Sequence, residues 1–143
     1  MTEPAEPSRP YAYHLTVQAG LRDTDGLGHV NNAVYVNWLE EVRTRYVFDA
    51  RGLEGISNVD FILASVHVEF RSPVFLHELV DLWCSPSRVG QRSWELVYEG
   101  RSRRDGRLVF EARTAQVQFD YGRREPVPIP AEWRRILEED MSR

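Results

Sequence analysis

Apolar and polar side chains alternate one for one near the start of the chain, where Tyr13, Leu15, Val17 and Ala19 are separated by His14, Thr16 and Gln18. A period of two predicts a half-buried strand over residues 13–19, ending just before Gly20. The period then breaks: residues 21–31 hold two aspartates, Gly26 and Gly28, and read as a loop. Beyond it Val34, Tyr35, Trp38, Leu39, Val42 and Tyr46 recur at helical spacing. Asn31 or Asn32 suits the N-cap and Gly52 the stop of that helix, whose aromatic stripe, Trp38 and Tyr46 included, is expected to be core.

Alternation resumes at Val66, Val68 and Phe70 and continues through residues 80–88 and 93–102, which predicts further strands. Asp105-Gly106 lies between two strand-like runs and predicts a hairpin, from a strand ending near Arg103 to one starting near Leu108. Along residues 108–119 the apolar parity changes from Leu108, Phe110 and Ala112 to Ala115, Val117 and Phe119, for which a β-bulge near Thr114 is the expected cause. After Pro126, Pro128 and Pro130, the run Trp133, Ile136 and Leu137 predicts a short terminal helix. One strand, a long buried helix, four strands and a short helix, with no βαβ alternation, make an α+β layout with an antiparallel sheet.

Composition narrows the classes. The 143 residues suit one domain, 42% hydrophobic and 28% charged content is ordinary for a globular protein, and no apolar run nears the length of a membrane span. Residues 1–10 carry three prolines and three charged side chains and no apolar stretch, so they are expected to form a flexible arm, neither signal peptide nor anchor, ahead of a single domain over residues 11–143. Cys84 is the only cysteine, which excludes an intrachain disulfide and, with no export signal in view, makes the cytoplasm the expected compartment. A net charge of −4 argues against a general nucleic-acid binder. His14, His67 and His77 have no metal-like spacing with Cys84 or one another, so no metal is expected, and no cofactor.

The segment with chemistry in it is Arg22-Asp23-Thr24-Asp25-Gly26-Leu27-Gly28-His29-Val30-Asn31-Asn32, running into Tyr35, Glu40 and Arg43. Its two aspartates lie just before a helix N-terminus, where unpaired backbone N–H groups favour negative charge and can stabilise a developing oxyanion. A carboxylate beside such donors meets two needs of acyl transfer, attack on (or deprotonation of water towards) a carbonyl carbon and binding of charge on its oxygen. Spacing alone favours aspartates that cap turns.

The stretch from Arg22 to Arg43, with Tyr35, Trp38 and Glu40 on the helix, Val68-Glu69-Phe70-Arg71-Ser72-Pro73-Val74, and the tail Pro126-Val127-Pro128-Ile129-Pro130, resembles the 4-hydroxybenzoyl-CoA thioesterase-like branch of the hotdog proteins. The resemblance implies a long helix wrapped by an antiparallel sheet, an acyl-CoA substrate, active sites formed between subunits of a homodimer, and dimers often joined as a homotetramer. It implies that Asp25 is the catalytic carboxylate, that the helix start at Asn31, Asn32 and Ala33 polarises the thioester carbonyl, and that Asp23, Gly28, His29 and Tyr35 support the loop and pocket. Glu40 remains a rival acid, because another hotdog lineage carries its acid on the helix; an ion pair with Arg43 is the favoured reading for it. Arg88, Arg92 and Arg101 lie on or beside the later strands, where the resemblance implies that the CoA phosphates are held; for any one of them a solvated surface arginine is the favoured reading. The alternatives are an acyl-carrier-protein thioesterase, a non-catalytic acyl-CoA-binding module and, resting on His29 alone, a hydratase.

Overall fold

The protein is described by a computed structural model over residues 3–142; Met1 and Thr2 of the expected arm, and Arg143, lie outside the described residues. Strand β1 (Tyr13–Gln18) leads through a short 3₁₀ turn to helix α1 (Asn32–Arg51). Strands β2 (Phe61–Phe70), β3 (Leu79–Val89), β4 (Ser93–Ser102) and β5 (Leu108–Asp120) follow, then the two-residue β6 (Glu125–Pro126) and helix α2 (Ala131–Met141). The sheet runs β1-β3-β4-β5-β2 with β6 beside β5, and every pairing is antiparallel. This is the α+β hotdog arrangement expected from the sequence, with β4 and β5 neighbours across the Asp105-Gly106 hairpin. No helix is long and apolar enough to cross a membrane.

Opposed residues of an antiparallel pair share a face, so the register sorts the side chains. Val80, Leu82 and Cys84 of β3, with Leu96 and Tyr98 of β4, turn towards α1 and join its buried stripe, Tyr35, Trp38, Leu39, Val42 and Tyr46. Asn31 starts that helix by accepting the Ala33 N–H on its side chain (2.9 Å), and Gly52 ends it with its N–H on the Phe48 carbonyl. Helix α2 seats Trp133 against Tyr46 and Trp94, at ring separations of 6.0 and 5.3 Å.

Three expectations change here. No bulge lies at Thr114; the register shifts at Leu63/Ser65, Pro86/Arg88 and Gly100/Arg101 instead. The inner face of β5 continues unbroken as Phe110, Ala112, Thr114, Gln116 and Gln118, all buried, and Ala115, Val117 and Phe119 simply lie on the outer face. On this face Tyr98 and Thr114 share a hydroxyl hydrogen bond (2.7 Å), and the Gln116 side-chain N–H donates to the Trp94 carbonyl (3.0 Å), while the Gln116 side-chain oxygen is buried without a hydrogen-bond partner among the described residues. Second, β2 begins at Phe61, five residues before Val66, because Phe61-Ile62-Leu63-Ala64 is uniformly apolar and shows no alternation. Third, Arg43 does not pair with Glu40. It follows Leu39 at i+4 and precedes Val47 at i+4, so it falls on the buried stripe and donates to the Tyr98 hydroxyl (3.3 Å), while Glu40 stays exposed.

The outer face also holds buried charge. Residues 5–12 of the arm and its junction cross β3 and β4: the Ala5 N–H donates to Asp81 (2.9 Å), the Ser8 N–H and the Tyr11 hydroxyl to Glu99, and the Ala12 N–H to Ser85. Asp81, with no exposed surface, also accepts from Arg103 (2.7 Å), Thr16 (2.9 Å) and His14 (2.8 Å). Burial alone would raise its pKa, but these bonds outweigh burial and hold it at about 2. A folded-state value below the unfolded one means stability that is full above about pH 4 and lost as pH falls towards 2, worth about 2 kcal/mol. Asp81→Asn is therefore expected to flatten the acid limb of a urea-midpoint-against-pH curve between about pH 4 and 2. An unchanged limb would refute that assignment.

Candidate active site

The loop between β1 and α1 is built from its own backbone bonds. Asp25 N–H donates to the His29 carbonyl (2.9 Å), Asn31 N–H to the Asp23 carbonyl (2.9 Å) and Val30 N–H to the Val74 carbonyl (2.8 Å). Gly28 closes the turn at φ 88°, a left-handed conformation that a side chain would strain. The loop is thereby pinned at both ends and to the segment following β2, which also bridges His29 to Phe75.

Two aspartates two residues apart receive different surroundings. Asp23 Oδ2 accepts the Gly20 N–H (2.8 Å) and closes the 3₁₀ turn. Asp25 is half-buried; its Oδ1 accepts the Leu27 N–H (2.8 Å), and its Oδ2 stands 3.8 Å from His29 Nδ1. One oxygen of Asp25 is thus held by the turn while the other faces a titratable ring. His29 then leads to a cavity of about 240 Å³ lined by His29, Val30, Asn32, Tyr35 and Phe70 to Pro73. Asp25 is not part of that wall in the single chain; it stands beside it through His29.

The helix start offers fewer donors than the three residues named from the sequence. Ala33 N–H is taken by the Asn31 side chain and Asn31 N–H by Asp23, which leaves the N–H of Asn32, the first helical residue, with no acceptor inside its own helix. Asn32 lines the cavity. Tyr35 is buried against Phe70 and Phe110, at ring separations of 5.5 and 5.6 Å, and burial raises its hydroxyl pKa. Glu40 lies eight residues along α1 from Asn32, about 12 Å at 1.5 Å per residue, and does not line the cavity.

The three arginines named for CoA do not converge. Arg101 binds Glu99 and the Gly106 carbonyl at one end of β4, whereas Arg88, paired with Glu95, and Arg92 flank its other end. What the sequence reading left out of the site is Phe70, Arg71, Ser72 and Pro73, which form a wall of the cavity. Their signal was present in the Arg-Ser-Pro break that ends the alternation of β2. Among the described residues no three His, Cys, Asp or Glu side chains gather as a metal site would require.

A family model described as the thioesterase-like superfamily matches residues 19–137. The chain is 24% identical over 129 residues to the long-chain acyl-CoA thioesterase FadM of Escherichia coli (strain K12), a match that covers 89% of this chain and 91% of that one. Among solved structures it is similar to a thioesterase from Thermus thermophilus complexed with coenzyme A and Zn, with a TM-score of 0.82, 25% identity, and coverage of 93% and 97% of the two chains. It is also similar to the 1,4-dihydroxy-2-naphthoyl-CoA thioesterase of Synechocystis, with a TM-score of 0.78, 20% identity, and coverage of 89% and 96%.

Proposed function

The chain belongs to the thioesterase-like superfamily, and from that premise we propose that it hydrolyses acyl-CoA thioesters to free acid and CoA at the cavity beside Asp25. The observation that carries this reading is the pinned loop, which sets the one half-free carboxylate of the segment next to a cavity that the first N–H of α1 also lines. The thioester carbonyl oxygen sits towards Asn32 N–H, which stabilises the oxyanion with the helix dipole behind it. Asp25 takes a proton from water as the water oxygen bonds to the carbonyl carbon. When the C–S bond breaks, the proton returns from the Asp25 carboxyl to the thiolate sulfur, so the carboxylate is regenerated. Direct attack by Asp25, through a mixed anhydride opened by water, uses the same geometry; trapping an acyl-enzyme in a single turnover separates the routes.

A homodimer through β2 is part of the same reading, with pairs of dimers as the tetramer. Its support is an edge strand whose inner row is left open, Leu63 at 41%, Val66 at 38% and Phe70 at 45% exposure, beside Val36 of α1 at 37%. Long exposed edges with an apolar row invite strand pairing. The test of function is thiol release from acetyl-, palmitoyl- and aromatic acyl-CoAs alongside matched acyl-carrier-protein thioesters. Release from CoA thioesters is expected. Release from carrier-protein thioesters alone would change the carrier, and release from neither would move the protein to the binding-module class.

A further inference from the structure

We propose that Arg107, locked on the buried carboxylate of Glu78, is a positioning residue for the hydrolysis: through the turn at residues 75–78 the pair fixes where the Asp25 loop stands against the cavity wall. The proposal rests on the acyl-CoA hydrolase reading above and adds what holds its carboxylate in place.

Neither Glu78 nor Arg107 lines the cavity. The Glu78 side chain is only 4% exposed, and a buried charge needs partners. It finds them on three sides: Arg107 Nη2 just before β5 (2.8 Å), the Ser102 hydroxyl at the end of β4 (2.5 Å) and the Phe75 N–H of its own turn (3.0 Å). Burial by itself would raise the Glu78 pKa, but these bonds outweigh burial and hold it below the usual carboxylate range. It is therefore an anion at neutral pH, and the pair is ionic.

The turn that Glu78 closes is strained. Its N–H donates to the Phe75 carbonyl (3.1 Å), and between the two His77 sits at φ 68°, a left-handed conformation uncommon for a residue with a side chain. Such a conformation persists only where surrounding bonds fix it. The Asp25 loop hangs from this turn and the residue before it at both of its ends. Ahead of the loop, the Ala19 N–H donates to the Glu78 carbonyl (3.0 Å) and the Ala19 carbonyl accepts the His77 N–H (2.7 Å). Behind it, His29 bridges to Phe75 and the Val30 N–H donates to the Val74 carbonyl (2.8 Å).

Arg107 reaches the wall as well as the turn. Its Nη2 donates to the carbonyl of Pro73, a cavity-lining residue (2.6 Å), while Asp105 holds its Nη1 (3.0 Å) and so sets the plane of the fork. One guanidinium thus ties the wall, the turn and, through the turn, both ends of the loop. A lysine offers a point charge without that fork. Asp25 lies at the end of this chain of bonds, so loosening the fork reaches it as a displacement, and a misplacement of about 1 Å is enough to cost about 10²-fold in rate.

The test is chemical rescue. Arg107→Ala, assayed well below its own Tm, is expected to lose about 10–100-fold in kcat for acetyl-CoA with a smaller change in KM. Guanidinium, added far below the molar concentrations that unfold proteins, can donate to the oxygens the side chain leaves. It is expected to raise kcat of Arg107→Ala severalfold and to leave the wild type and Asp25→Asn unchanged. Amide exchange at Asp25, Val30 and Asn31 is expected to quicken in the same variant, which reads the loop without turnover. Arg107→Lys keeps the charge, so it is expected to fold and to show a smaller loss of kcat; it carries the test if Arg107→Ala does not fold. Wild-type kcat in either folded variant, a loss that guanidinium leaves in place, or unchanged exchange overturns the proposal. A wild type that hydrolyses no acyl-CoA would remove the hydrolase reading instead, and the three amides alone would then decide whether Arg107 holds the loop.

Discussion

Asp25→Asn is expected to lower kcat by roughly 10²–10⁴-fold, the usual loss when a positioned acid–base group is removed, while the fold persists. The amide keeps an oxygen able to accept the Leu27 N–H that Asp25 Oδ1 accepts now, so the turn before α1 survives. In the proposed reaction it loses the ability to carry a proton between water and sulfur, or to attack as an anion. Asp23→Asn provides the contrast: its carboxylate accepts from Gly20 within the turn, and an amide oxygen can do the same with little effect on turnover. Circular dichroism and thiol release on both variants check the pair. A folded Asp25→Asn enzyme with wild-type kcat would transfer the chemistry to another group, with His29, 3.8 Å away, the first to examine.

The second large effect is on stability. Gly100 lies opposite Phe110 in the β4–β5 ladder, and a Cβ there would come within 2.7 and 2.8 Å of the ring atoms Cδ2 and Cζ, and nearer still to Cε2. Phe110 is fully buried and touches Tyr35, so the ring has little freedom to retreat. Gly100→Ala is expected to cost about 1–3 kcal/mol as overpacking and to lower Tm by roughly 3–10 °C. Phe110→Leu should relieve the clash, so the double variant is expected to lose less than the sum of the two single losses. Because Tyr35 lines the cavity, the single variant should also disturb KM. Strict additivity in the thermal melts would show that the ring does not cause the loss.

The main elements were legible because each shows a local cause. The helix needed only its stripe, Asn31 and Gly52; the hairpin needed only Asp105-Gly106. The errors occur where a residue's burial depends on a partner distant in sequence. Thr114, Gln116 and Gln118 look like surface residues until Tyr98 and Trp94 are placed beside them, which is why the sequence pattern of β5 mimics a bulge. Arg43 looked like a partner for Glu40 until the sheet closed over it.

By itself, the sequence determined the order and kind of the elements, the Asp23-x-Asp25 loop ahead of the α1 N-terminus, and the family, because periodicity, capping and motif spacing are written in residues near one another along the chain. Only the tertiary structure decided that Phe70 to Pro73 wall the cavity and that the three candidate arginines stand at opposite ends of β4. It also placed a large apolar pocket at the opposite end of β2 from the Asp23-x-Asp25 loop. Those facts depend on which distant strands share a register, and register is set by the simultaneous burial of many side chains rather than by any local pattern.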